Sequence, residues 1–125
     1  MEKVHIEIPL SSKSRTMIWD KIATVGGLEA WMADRIKCEG NAYTFYWGRD
    51  EEREAVQIAQ RLGTYIRFHW VDEGPKTFFE FRLNYSELTH SFMLEITEQT
   101  DDEDVEGLTQ LWESLGEKLV RVTGL

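Results

Sequence analysis

The sequence predicts an α+β fold, a curved antiparallel sheet packed against one long C-terminal helix. Three observations carry this. Between residues 35 and 97, apolar and polar residues alternate with period two in six successive runs parted by turn residues. From residue 105 the period becomes helical: Val105, Leu108, Trp112, Leu115, Leu119 and Val122 form one apolar stripe about five turns long. The 125 residues are 42% hydrophobic and 12% aromatic, enough for one real core and too short for a second domain.

The elements follow in order. Lys3 to Leu10 alternates Val4, Ile6 and Ile8 against His5 and Glu7, which predicts a half-buried strand stopped by Pro9 and the serines Ser11, Ser12 and Ser14. Those serines are N-cap candidates for a short helix with Ile18, Trp19 and Ile22 on its apolar face. Gly26-Gly27 is expected to break it, and Leu28, Trp31 and Met32 suggest a second helix of about two turns.

From Arg35 the alternation begins. Ile36 and Cys38 share an apolar parity, so Cys38 is expected to be a small buried hydrophobe. After a turn at Glu39-Gly40-Asn41 come Tyr43, Phe45 and Trp47, then a second turn at Gly48-Arg49-Asp50. Glu52 to Leu62 follows, with Gly63 as a break or bulge. Tyr65 to Val71 sets Ile66, Phe68 and Trp70 against Arg67 and His69. Beyond the turn Asp72-Glu73-Gly74-Pro75, Thr77 to Tyr85 sets Phe79, Phe81, Leu83 and Tyr85 against Glu80, Arg82 and Asn84. Leu88 to Thr97 sets His90, Phe92, Leu94 and Ile96 against Thr89, Ser91, Met93 and Glu95. Short turns make this an antiparallel meander with one aromatic face and one polar face.

The last segment opens with Thr100-Asp101-Asp102-Glu103, the spacing of a capping box. Acids at its start and Lys118 and Arg121 near its end suit the helix dipole. The helix must bury its stripe, and the aromatic sheet face is the large apolar surface available. The predicted order is β-α-α-β-β-β-β-β-β-α, the helix-grip arrangement.

Charge excludes several function classes. Fourteen Lys and Arg face 23 Asp and Glu, a net charge of −9. Nine of the acids lie between Glu95 and Glu117 with no base among them, which leaves the rest of the chain neutral. No basic stripe exists to track nucleic acid, and an anionic membrane would repel the acidic segment. No apolar run approaches the roughly 18 residues of a membrane span, and no leader segment is evident, so a cytoplasmic location is expected. The lone Cys38 rules out an internal disulfide. His5, His69 and His90 lack metal-pair spacing, so no metal site is expected. No nucleophile elbow, phosphate loop or dinucleotide fingerprint is present, and no cofactor is expected.

The chain resembles a START-like domain of the Bet v 1-like (SRPBCC) superfamily. Within it, it is most similar to small bacterial relatives of the activator of the heat-shock-protein-90 ATPase. The matching residues are Ile18-Trp19, Leu28-Glu29-Ala30-Trp31-Met32, Thr97-Glu98 and Gly107-Leu108-Thr109-Gln110-Leu111-Trp112. The resemblance covers nearly the whole chain and implies a hydrophobic pocket between sheet and helix. Carried over by position, Phe68, Trp70, Phe79, Phe81, Tyr85, His90 and Phe92 line it from the sheet. Trp112, Leu115 and Leu119 line it from the helix, with Trp31 near the mouth. Tyr85 and His90 are its polar candidates.

The same aromatics could fill the space completely, since protein interiors close-pack. Gly116 would then permit close helix–sheet approach, or else leave room for a ligand. The expected function is a non-catalytic binding module for a small hydrophobic molecule, a lipid or an aromatic metabolite. The alternative is a protein-interaction or chaperone-associated module docking through Asp101, Asp102, Glu103, Asp104 and Glu106. A cyclase-like enzyme is the third possibility, with His90 and Tyr85 moving protons. Either a monomer or a homodimer fits the sequence.

Overall fold

A computed structural model describes all 125 residues. Its elements are β1 (Glu2–Leu10), α1 (Arg15–Ala23), α2 (Val25–Leu28), β2 (Arg35–Glu39), β3 (Ala42–Trp47), β4 (Glu51–Arg61), β5 (Tyr65–Trp70), β6 (Phe78–Ser86), β7 (Ser91–Thr100) and α3 (Val105–Thr123). The seven strands form one antiparallel sheet in the order β1-β7-β6-β5-β4-β3-β2. This is the helix-grip α+β order expected from the alternation.

The period-two pattern fixes which face is buried. Ile66, Phe68 and Trp70 of β5, Phe79, Phe81 and Leu83 of β6, and Phe92, Leu94 and Ile96 of β7 all turn inward. On the outer face Arg67 and Arg82 both bond Glu80, and Arg67 also lies over the Phe78 ring. Inside, the rings interlock: Phe68 and Phe79 stack at 4.9 Å, and Phe81 meets Trp31 at 5.2 Å and Trp112 at 5.9 Å. Offset and edge contacts of this kind add to the burial of the rings themselves.

Several local expectations are corrected. β1 runs through Pro9, which an edge strand tolerates because one side of its ladder is unpaired. The irregularity in β4 falls between Gln57 and Ala59, while Gly63 supplies a positive φ of 74° in the turn that follows. The break between α1 and α2 falls at Thr24, whose hydroxyl caps Gly27 N–H, and the glycines lie within α2. A Cβ on Gly27 would stand 2.0 Å from the Asp20 carbonyl oxygen, so the pair of short helices can pack only with glycine there. α2 is a single turn, and Trp31 follows it with its Nε1 donating to the Lys21 carbonyl.

Cys38 is exposed: β2 is the sheet edge, and only Ile36 in it is buried. The cap of α3 is Asp104, whose carboxylate accepts from Gly107 N–H. Thr100 is instead the buried last residue of β7, and its hydroxyl donates to Glu73. Val122, the last residue of the expected stripe, is 52% exposed, while Leu119 before it and Leu125 after it are buried.

Candidate functional site

α3 does not meet the sheet evenly. At Gly116 it approaches β1 so closely that a Cβ there would stand 2.3 Å from Ile8 Cδ1. Toward its N-terminal end larger side chains hold it away, and a cleft of about 290 Å³ opens between helix and sheet. Leu108, Leu111, Trp112 and Leu115 wall it from α3, and Met32, Trp47 and Trp70 wall it from the other side. Glu51, Arg53 and Glu98 supply its charged groups.

Glu98 is the residue that stands out. It occupies the inward parity of β7 after Phe92, Leu94 and Ile96, and is only 2% exposed. Its Oε1 accepts the Trp112 Nε1–H at 2.8 Å. Burial pushes its carboxyl up to about 7, helped by the nearby Glu73 and opposed by the Trp112 bond, by Arg53 and by Trp70. The group therefore exchanges its proton near neutrality.

Arg53 is held by its neighbours. Its guanidinium lies 4.1 Å from the Trp70 ring and bonds Asp72 and Glu73, each at 2.8 Å. Burial works against its charge, but those two carboxylates more than offset it and raise its proton affinity. The Arg53 bond in turn lowers the Asp72 carboxyl. Glu73 continues the network, accepting from the Thr100 hydroxyl and from Asp101 N–H. This network borders a second, polar hollow of about 420 Å³, with Arg53, Glu98 and Leu108 lining both it and the cleft.

Of the residues expected to line a pocket, Trp70, Trp112 and Leu115 border the cleft. Trp31, Phe68, Phe79, Phe81 and Leu119 are fully buried in the closed core, where neighbouring side chains occupy the space a ligand would need. Phe92 is buried beyond the far end of the cleft, under Arg15 and beside Tyr85. Tyr85 keeps the inward parity of β6, opposite and against Phe92, but is 42% exposed near the end of the strand, and His90 does not turn inward. His90 is exposed because β7 begins at Ser91 and His90 sits in the preceding turn with a φ of 51°. That turn interrupts the alternation that assigned His90 to the apolar face.

Sequence reasoning missed Glu98, Arg53, Trp47 and Met32. The signal for Glu98 was present: extending the β7 parity by one step places a carboxyl on the apolar face. Arg53 and Met32 belong to the site only through tertiary contacts. The acidic segment is partly engaged within the fold: Asp101, Asp102 and Asp104 each accept a backbone N–H. On the outer face, His5 bonds Thr97 through Nδ1 and sits 3.4 Å from Glu95, away from the cleft.

A second open feature lies along β1. It is a shallow trough of about 680 Å³ between Ile6, Ile8 and Pro9 on one side and Glu113, Gly116 and Val120 on the other. It carries no aromatic wall and no buried polar group. No helix is long and apolar enough to cross a membrane.

Comparison with known proteins locates this arrangement. The family model of the START-like superfamily domain matches residues 1–125. No curated protein matches the chain in sequence. Among solved structures, BfR322 from Bacteroides fragilis is 39% identical over 96% of this chain and 89% of that one, with a TM-score of 0.65. The Aha1 dimer from Colwellia psychrerythraea is 14% identical over 98% and 97% of the two chains, with a TM-score of 0.80. DynU16, described as a putative protein of the dynemicin biosynthetic locus, is 12% identical over 97% of this chain and 46% of its own, also at 0.80. At such identities the last two share the fold.

Proposed function

Because the chain belongs to the START-like superfamily over its whole length, we propose that it is a non-catalytic binding module for a small apolar molecule. The molecule enters the tryptophan-walled cleft beneath the N-terminal half of α3. The observation that carries this is the cleft itself: Trp47, Trp70 and Trp112 converge on one concave space whose polar groups are few. Size refines the class. Drug-sized ligands occupy roughly 300–1,000 Å³, and this cleft offers about 290 Å³. A compact aromatic metabolite fits it better than a long-chain lipid.

The residues would hold the ligand in three ways. Indole faces give flat apolar contact, Leu111 at the rim covers the bound molecule, and Glu98 offers the polar contact that sets orientation. Docking of a basic protein partner on residues 101–106 has less to draw on, since Asp101, Asp102 and Asp104 already serve backbone N–H groups.

The test is native mass spectrometry of protein purified from its own cells, followed by organic extraction. A discrete aromatic adduct that disappears in Leu111→Asp is the expected result. Bare protein that shows no thermal shift with a library of small aromatics would overturn the reading.

A further inference from the structure

The buried polar hydrogens around the cleft are not equally satisfied. Trp47 Nε1 donates to the Met32 carbonyl at 2.9 Å, and Trp112 Nε1 donates to Glu98 at 2.8 Å. Trp70 Nε1 is buried, on a residue only 3% exposed, and has no partner. Buried N–H groups left unpaired are rare in folded proteins and costly. It favours the ionised Glu98 carboxylate through a contact too long or too poorly aligned to satisfy the N–H.

Glu98 is likewise only partly used. Trp112 takes Oε1, which leaves Oε2 as the oxygen that carries the proton when the carboxyl is neutral. Both residues line the cleft: Trp70 with an N–H that lacks a full partner, and Glu98 with a carboxyl that can donate when protonated. We infer that the cleft's ligand is a small aromatic molecule bearing a carbonyl oxygen, which accepts hydrogen bonds from Trp70 Nε1 and Glu98. This inference rests on the reading of the cleft as a binding site.

The surrounding charges favour a neutral acceptor over an anionic one. The two openings that Glu98 lines carry Arg53 and Glu51 from β4, Asp72 and Glu73 from the turn after β5, and Asp101 and Asp102 after β7, with Arg53 and Glu73 acting on Glu98 itself. One cation is thus set against five carboxylates, and Arg53 is already engaged by Asp72 and Glu73. α3 adds no charged group to this wall, only apolar side chains and the Trp112 N–H already bonded to Glu98. With its carboxyl pushed up by burial to about 7, Glu98 is a donor in mildly acidic solution and becomes a competing charge above neutrality. Carbonyl affinity therefore falls as pH rises from 6 to 8.

The experiment compares 2-acetylnaphthalene with 2-isopropylnaphthalene, a hydrocarbon of nearly the same shape. Titrations are followed by calorimetry and by the indole N–H resonances, with Trp70 assigned through Trp70→Phe. The expected result is that the ketone binds about fivefold more tightly at pH 6 and moves the Trp70 N–H resonance. Its advantage disappears in Trp70→Phe and shrinks at pH 8. Glu98→Gln, which keeps a donor at every pH, retains the advantage at pH 8. Equal affinities with the Trp70 resonance unmoved would overturn the inference and leave the binding reading standing. Failure of both compounds to bind would overturn the binding reading itself.

Discussion

The two halves of α3 meet the sheet under opposite constraints. The C-terminal half is pinned: Gly116 sits directly against the Ile8 side chain, and Leu119 is fully buried. The N-terminal half is raised: Trp112 stands between helix and sheet, and Leu111 is left 54% exposed over the cleft. One helix thus serves as closure at one end and as a lid at the other. The difference comes from side-chain size along a single stripe, glycine where contact is tight and tryptophan where space remains.

The sharpest way to break this comparison is to damage the pinned half alone. Leu119→Ala is expected to cost about 4 kcal/mol in chemical denaturation, through lost burial and the cavity left behind. Binding of a naphthyl probe at saturating protein stability should survive it. If probe binding is lost while the fold persists, the halves are coupled more tightly than drawn here.

Glu98 tests the raised half. Its carboxyl titrates at 4.5 in a model peptide and at about 7 in the fold. Between those values the folded protein keeps a proton that the unfolded chain has released. Stability therefore falls as pH rises from 4.5 to 7 and is flat above. The drop attributable to this group is about 3 kcal/mol. Glu98→Gln keeps an oxygen for Trp112 and should remove the drop, leaving the variant more stable than the parent at pH 8. An unchanged pH profile would show that the carboxyl is better solvated than its burial indicates.

Gly116→Ala sets two effects against each other. Alanine favours the helix by about 1 kcal/mol, but overpacking against Ile8 costs roughly 1–3 kcal/mol. A net loss of about 1 kcal/mol is expected. With Ile8→Val, which removes the methyl in the way, the double variant should be no less stable than Ile8→Val alone. The smallest stability effect belongs to Leu111→Ala, within about 0.5 kcal/mol because the side chain is mostly exposed. It should nevertheless weaken probe binding severalfold, and a silent titration would remove the rim from the site.

The fold was legible because period two and period 3.6 are strong signals over long segments. Six alternating runs and one five-turn stripe left few arrangements. The site was less legible for two physical reasons. Parity continues only while the strand does, so His90, beyond the end of β7 in a positive-φ turn, was assigned to the wrong side. Burial also depends on what lies over a strand, so Cys38 on the edge strand was misjudged. Glu98 shows the converse: its carboxyl looked like part of an acidic run, whereas its register put it beneath Trp112. Thr100 shows the same limit: Thr100-Asp101-Asp102-Glu103 has the capping spacing, but the strand's inward register engages Thr100 with Glu73 and leaves Asp104 to cap α3.

The pairing of β1 with β7 reaches beyond the native state. Glu2 lies opposite Thr100 and Leu10 opposite Phe92, so β1, made before the other six strands, finds its sole sheet partner in the last of them. Until then Val4, Ile6, Ile8 and Leu10 have nothing to cover them but the nascent chain itself. Closing so long a loop delays the rewarding contacts. Vectorial synthesis should therefore leave β1 protease-sensitive until β7 has emerged, after which the sheet folds in one late cooperative step.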